Sequence, residues 1–168
     1  MNRLLLLMTT TSYRAGAFLE AAERLGLPVV VGSDRPHVLS AANPSGSLTL
    51  DLLVLEEASH AIVEFAKQYP IGAVVAADDD GAILAAMASA ALQLRHNSVH
   101  AVSAARNKHR MREILARSGI SSPHFERFSI DEDPWAAARR VSLPCVLDRK
   151  STRLNSSHIQ KSRMPSSA

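Results

Sequence analysis

The sequence predicts an α/β protein built on an open parallel sheet with helices on both faces. Two observations carry this. Short apolar runs such as Leu4–Met8 and Ile71–Ala77 have no polar alternation, as strands buried on both faces require. Between them lie segments with apolar residues at helical spacing, so strands and helices alternate along the first 95 residues.

Arg3–Met8 reads as the first strand, ended by Thr9-Thr10-Thr11-Ser12. A helix comes next on Ala15, Phe18, Leu19, Ala22 and Leu25, with Ser12 as its expected N-cap and Gly26 as the residue that ends it. Leu27–Val31 reads as the second strand, stopped by Gly32-Ser33-Asp34, and Arg35 to Ser47 as a loop. Leu48–Leu52 is a modest third strand. Glu56–Gln68 is an amphipathic helix with Ala58, Ile62, Phe65 and Ala66 inward and Tyr69-Pro70 closing it. Ile71–Ala77 is the fourth strand, succeeded by Asp78-Asp79-Asp80 and a helix on Ile83, Leu84, Met87, Ala91 and Leu94. From His96 the rhythm changes. One helix is expected from about Val99 to Ser118, stopped by Gly119, then a strand over His124–Ser129, a short helix over Trp135–Val141, and a strand opening at Pro144–Leu147.

The segment 148–168 resembles the translation of a short-read sequencing adapter. Asp148–His158 fits one stretch of it and Ser162–Ala168 its continuation in the same frame. The expectation is therefore an N-terminal fragment cut off near Leu147 and extended by a non-native tail, which is set aside in reading the fold. The whole chain carries 19 basic and 16 acidic residues, a net charge of +3. Five of the basic residues and one acidic residue lie in the tail, leaving 14 and 15 and a charge of −1. No basic excess then points to a nucleic-acid or anionic-membrane partner. Cys145 is the single cysteine, which excludes a disulfide within the chain. Leu4–Met8 is too short to span a membrane and lacks a small-residue cleavage site, so the expected location is cytoplasmic.

In open parallel sheets ligands bind beyond the carboxyl ends of the strands, which singles out Thr9–Arg14, Gly32–Arg35 and Asp78–Gly81. Thr10, Thr11 and Arg14 offer hydroxyls, amides and a cation to an anionic substrate group, or alternatively an N-cap with its turn. Asp78 and Asp79 would hold a substrate amine, a hydroxyl or a metal, with Asp80 as a helix cap in the alternative. Neither Gly-x-Gly-x-x-Gly after the first strand nor a Gly-Lys-Ser/Thr loop occurs. Lys108 shares helical spacing with Ala104, Met111 and Leu115, so it snorkels or serves a cleft, and Arg112 lies on the edge of that face.

Five segments, Val74–Asp79, Leu92–Asn97, Ala105–Arg112, Ser118–Phe125 and Leu143–Leu147, together resemble ATP-grasp proteins of the biotin carboxylase and phosphoribosylglycinamide synthetase branch. The resemblance implies a Rossmann-like pre-ATP-grasp domain over residues 1–95, the truncated beginning of an ATP-grasp domain over 96–147, and the tail over 148–168. It also implies ATP and Mg²⁺ as cofactors, and an acylphosphate intermediate formed from a carboxylate and opened by an amine or other nucleophile. Lys108 matches the family's lysine before the Gly-Ile/Val-Pro turn, which contacts nucleotide phosphates. The sequence departs from the family where a second phosphate-binding lysine would come after Leu147, since Asp148 stands there and Lys150 belongs to the tail. The glycine-rich loop, the adenine-clamping hinge and the acidic metal ligands would lie beyond, so this chain is expected to be inactive.

Two other classes compete with this reading. A free-standing α/β ligand-binding or regulatory domain explains residues 1–95. A helix-turn-helix over Arg112–Phe125 would make a DNA-binding protein, but Pro123 falls inside its second helix.

Overall fold

A computed structural model of the chain describes residues 2–36, 46–147 and, for the backbone, 162 and 163. Positions 37–45 of the expected loop, and the tail apart from those two residues, lie outside the described residues. The chain divides into two compact units, Met1–Ile114 and Leu115–Ala168.

In the first unit four parallel strands stand in the order β3-β2-β1-β4. They are β1 (Arg3–Met8), β2 (Val29–Ser33), β3 (Ser47–Thr49) and β4 (Ile71–Ala76), joined through α1 (Ala15–Arg24) and α2 (Leu55–Gln68). Leu6 of β1 is paired with Val31 on one side and Val75 on the other, which makes β1 an interior strand. Its side chains alternate between two cores. Leu5 and Leu7 join Val30, Ala58 and Ile62 of α2, and Leu84 and Ala88 of α3 (Ala82–Ala91). Leu6 and Met8 join Val29, Val31 and the Ala15, Phe18, Leu19 and Ala22 stripe of α1. This three-layer arrangement is why Leu4–Met8 is apolar at every position. Each buried Leu contributes roughly 1.5–3 kcal/mol.

Several boundaries differ from expectation. β2 runs through Gly32-Ser33 instead of stopping there, because Gly32 leaves space that Leu7 and Leu50 occupy. An added Cβ would lie 2.7 Å from Leu7 Cδ2 and 3.0 Å from Leu50 Cδ1. β3 is shorter than Leu48–Leu52, although the Leu50 amide still donates to Ser33 O (2.9 Å). Leu25 is 71 % exposed because α1 has already ended. There Gly26, at φ +65°, donates to Glu23 O and Leu27 donates to Ala22 O, the paired bonds of a Schellman turn. α3 closes in the same way around Gln93, at φ 56°, which leaves Ala91 exposed and puts Leu94 beyond the helix.

The single helix expected over 99–118 is two. α4 (Val99–Ala105) is capped by Ser98, whose Oγ accepts from the Ala101 amide, and it packs against α3. α5 (Lys108–Arg117) restarts after Asn107, whose Oδ1 accepts from the Arg110 amide at 3.1 Å. That bond to the third helical amide is the geometry of an N-cap.

In the second unit Gly119, at φ +69°, ends α5 with a further Schellman pair, Gly119 to Ala116 O and Ile120 to Leu115 O. The segment 120–129 is irregular, so neither the expected strand over His124–Ser129 nor the second helix of a helix-turn-helix forms. α6 (Pro134–Ala138) begins on Asp133, which accepts from the Trp135 and Ala136 amides, and carries Pro134 at its first position. Met111, Leu115 and Phe125 are half-buried, and Trp135 is 77 % exposed. β5 (Val146–Leu147) pairs antiparallel with β6 (Ser162–Arg163). No helix among the described residues is long and apolar enough to cross a membrane.

Candidate functional site at the carboxyl ends of the strands

The strand order places the topological switch between β1 and β4, since β2 and β3 lie on one side of β1 and β4 on the other. Ligands of open α/β sheets bind in the crevice outside that point. Here the crevice is bridged by the protein itself. The Thr9 amide and hydroxyl both approach Asp78 Oδ2, at 3.5 and 3.3 Å. Thr9 Oγ1 also lies 3.2 Å from Thr11 Oγ1. On the β2 side the Thr10 amide donates to Asp34 Oδ1 at 2.7 Å, with the Thr10 hydroxyl 3.5 Å from Asp34 Oδ2. The Ser12 amide donates to Thr9 O. Three amides of the Thr9–Ser12 loop are therefore engaged internally, two of them by carboxylates that stand where an anion would.

The three aspartates divide their work. Asp78 joins β4 to β1 through Thr9. Asp79 and Asp80 share Arg106, with Asp79 Oδ2 3.1 Å and Asp80 Oδ1 3.3 Å from its guanidinium nitrogens. Asp80 does not cap α3 through its side chain; that helix opens on Gly81. Ser12 does not cap α1, which starts at Ala15 after Arg14. Ser12 Oγ and Asp78 Oδ1 are both buried without a hydrogen-bond partner, against the rule that buried polar atoms are paired. Arg14 is exposed, and its Nε donates to Tyr13 Oη at 3.2 Å. Its guanidinium is held further toward the charged form by that bond first and by the electrostatic interaction with Tyr13 next; Asp79 and Asp78 add to the effect. Thr10, Thr11, Arg14, Asp78 and Asp79 thus cluster at one end of the sheet.

Asp34 and Arg106 are the members that sequence reasoning missed. Asp34 stands directly after β2, in a segment the strand-end rule had marked. Arg106 falls within the Ala105–Arg112 segment of the resemblance, which gives it no role of its own.

Lys108 is the first residue of α5 and is exposed, whereas Arg112, one turn on, is half-buried. Both have interaction partners within the structure. A lysine and an arginine four residues apart project from the same helix face, a spacing suited to a polyanion. No group of three or more His, Cys, Asp or Glu among the described residues is placed to hold a metal ion.

Residues 19–96 match the sequence model of the ATP-grasp N-terminal domain. The match begins inside α1 and ends in the turn before α4, so it covers Asp34 and Asp78–Asp80 of the strand-end cluster but neither the Thr9–Arg14 segment nor Arg106. Among solved structures, L-amino acid ligase from Bacillus licheniformis superposes on the chain with a TM-score of 0.64 and 23 % identity. That likeness covers 86 % of this chain and 36 % of the ligase chain. Phosphoribosylglycinamide synthetase from Anaerococcus prevotii gives a TM-score of 0.61 and 16 % identity over 98 % of this chain and 39 % of its own. At these identities the likeness is one of fold. The chain spans less than two-fifths of either neighbour's length. No curated protein sequence matches the chain.

Proposed function

We propose that the chain is the N-terminal part of an ATP-dependent ligase that joins a small-molecule carboxylate to an amine or related nucleophile through an acylphosphate. The observation that carries this reading is the sequence match to an ATP-grasp N-terminal domain over 19–96, with Lys108 at the start of a helix twelve residues beyond it. The fold likeness to two ligases supports the same class. In this reading residues 1–95 form the pre-ATP-grasp domain, 96–147 begin the ATP-grasp domain, and 148–168 are a non-native tail. The location is cytoplasmic.

Lys108, assisted by Arg112, would hold nucleotide phosphates, where a fixed cation offsets charge on the transferring group. The resemblance implies Mg²⁺ alongside the ATP, where it would offset phosphate charge, and no step is assigned to it in this chain. Asp78 and Asp79, with Thr10, Thr11 and Arg14, would face a substrate at the sheet end: the carboxylates toward an amine, Arg14 toward a carboxylate. By itself the 168-residue chain does not turn over.

The test is the uninterrupted genomic reading frame, expressed and assayed for ADP release with candidate carboxylates and amines. Substrate-dependent ADP formation by the full-length protein, with none from this chain, is the expected result. A full-length protein that binds no ATP overturns the ligase reading, and substrate-dependent ADP release by the 168-residue chain overturns its inactivity.

A further inference from the structure

Arg106 stands at the junction of three features that the ligase reading treats separately. It closes α4, where its amide donates to Val102 O. It immediately precedes Asn107, the cap of α5, and lies two residues before Lys108. Its guanidinium is divided between Asp79 and Asp80, 26 and more residues back in the chain, on the turn that leaves β4. A planar guanidinium can hold two carboxylates at once, which a lysine ammonium does only loosely. The side chain is 32 % exposed, against 92 % for Asp79 and 45 % for Asp80, so Arg106 is the sheltered member of the set.

We infer that Arg106 is a positioning residue that ties the start of α5 to the carboxyl end of β4. The α4–α5 break interrupts the helical ladder at Asn107, so the direction in which α5 begins is set by what holds the junction. Arg106 links that junction to the end of β4 through Asp79 and Asp80. The Asp78–Asp80 cluster and the Lys108 end of α5 then move as one body. That Lys108 meets phosphate rests on the proposed function; that Arg106 tethers its helix does not.

Hydrogen exchange on the chain tests the tether directly. In Arg106→Gln, and separately in Asp79→Asn combined with Asp80→Asn, exchange at the first hydrogen-bonded amides of α5, Arg110 and Met111, should rise about two- to five-fold, the scale of solvent-exposed ion pairs. Exchange in β1 and β4 should not change. Added salt should raise exchange in the unaltered chain toward that of the variants, a response that steric packing would not give. The reversed pair, Arg106→Glu with Asp79→Arg, should restore part of the protection. Unchanged exchange in both variants, or a salt-insensitive rise that the reversed pair does not rescue, overturns the tether. Nucleotide binding by full-length Lys108→Gln is a separate readout: if it is unaltered the phosphate reading falls, while the exchange result still decides Arg106.

Discussion

Thr9 and Asp78, 69 residues apart, close the crevice between β1 and β4 with two contacts to a single carboxylate oxygen. In sheets of this order the same crevice is the usual ligand position, so the bond occupies ground that a bound group would otherwise take. Its length, 3.3 Å from the hydroxyl, marks it as a modest interaction. Thr9→Val and Asp78→Ala should therefore couple by about 1 kcal/mol in a double-mutant cycle read by urea unfolding. Strict additivity would show that the two do not stabilise each other.

Gln93 is the described non-glycine residue at positive φ, held there by the turn that ends α3. Gly26 and Gly119 fill the equivalent position after α1 and α5 without a Cβ penalty. Gln93→Gly should raise stability by roughly 0.5–1 kcal/mol, visible as a higher Tm. A lower Tm would mean that the Gln93 side chain contributes more than its backbone costs.

The reverse holds at Gly32, where crowding and not φ is decisive. Gly32→Ala would push Leu7 and Leu50, both in the core, and should cost about 1–3 kcal/mol. The measurement is the midpoint of urea unfolding. An unchanged midpoint would show that the two leucines re-pack freely around the new methyl group.

These glycine positions also show what the sequence makes legible. Gly26 and Gly119 read correctly as helix ends because a left-handed residue there has a local cause. Gly32 read as a strand stop because its cause is Leu50, brought in by β3 from 18 residues away. Leu4–Met8 was legible as an interior strand since each of its side chains enters one of two cores. The break at Asn107 was not, because Ala104, Met111 and Leu115 keep helical spacing across it and periodicity does not register a cap. The same division holds at the site. Thr10, Thr11, Arg14, Asp78 and Asp79 come from a rule about strand ends, which needs only strand positions. Asp34 and Arg106 are recruited by contacts across 24 and 26 residues, and no local pattern announces them.

The last prediction concerns Lys108 in the full-length protein. Its place at the first position of α5 is unfavourable for a cation, because the amide ends of the helix carry partial positive charge. An anion at that point would turn this local cost into a gain by meeting both the lysine and the helix end. Lys108→Gln removes the charge and keeps most of the length. ATP affinity, measured by calorimetry, should fall by about 10- to 100-fold, the worth of a charge-assisted hydrogen bond. Arg110→Gln serves as the control: it is also exposed and removes a charge from the same turn, but it projects from a different helix face. It should change affinity little. Equal losses in the two variants would point to a diffuse electrostatic effect, and no loss in Lys108→Gln would remove this lysine from the nucleotide site.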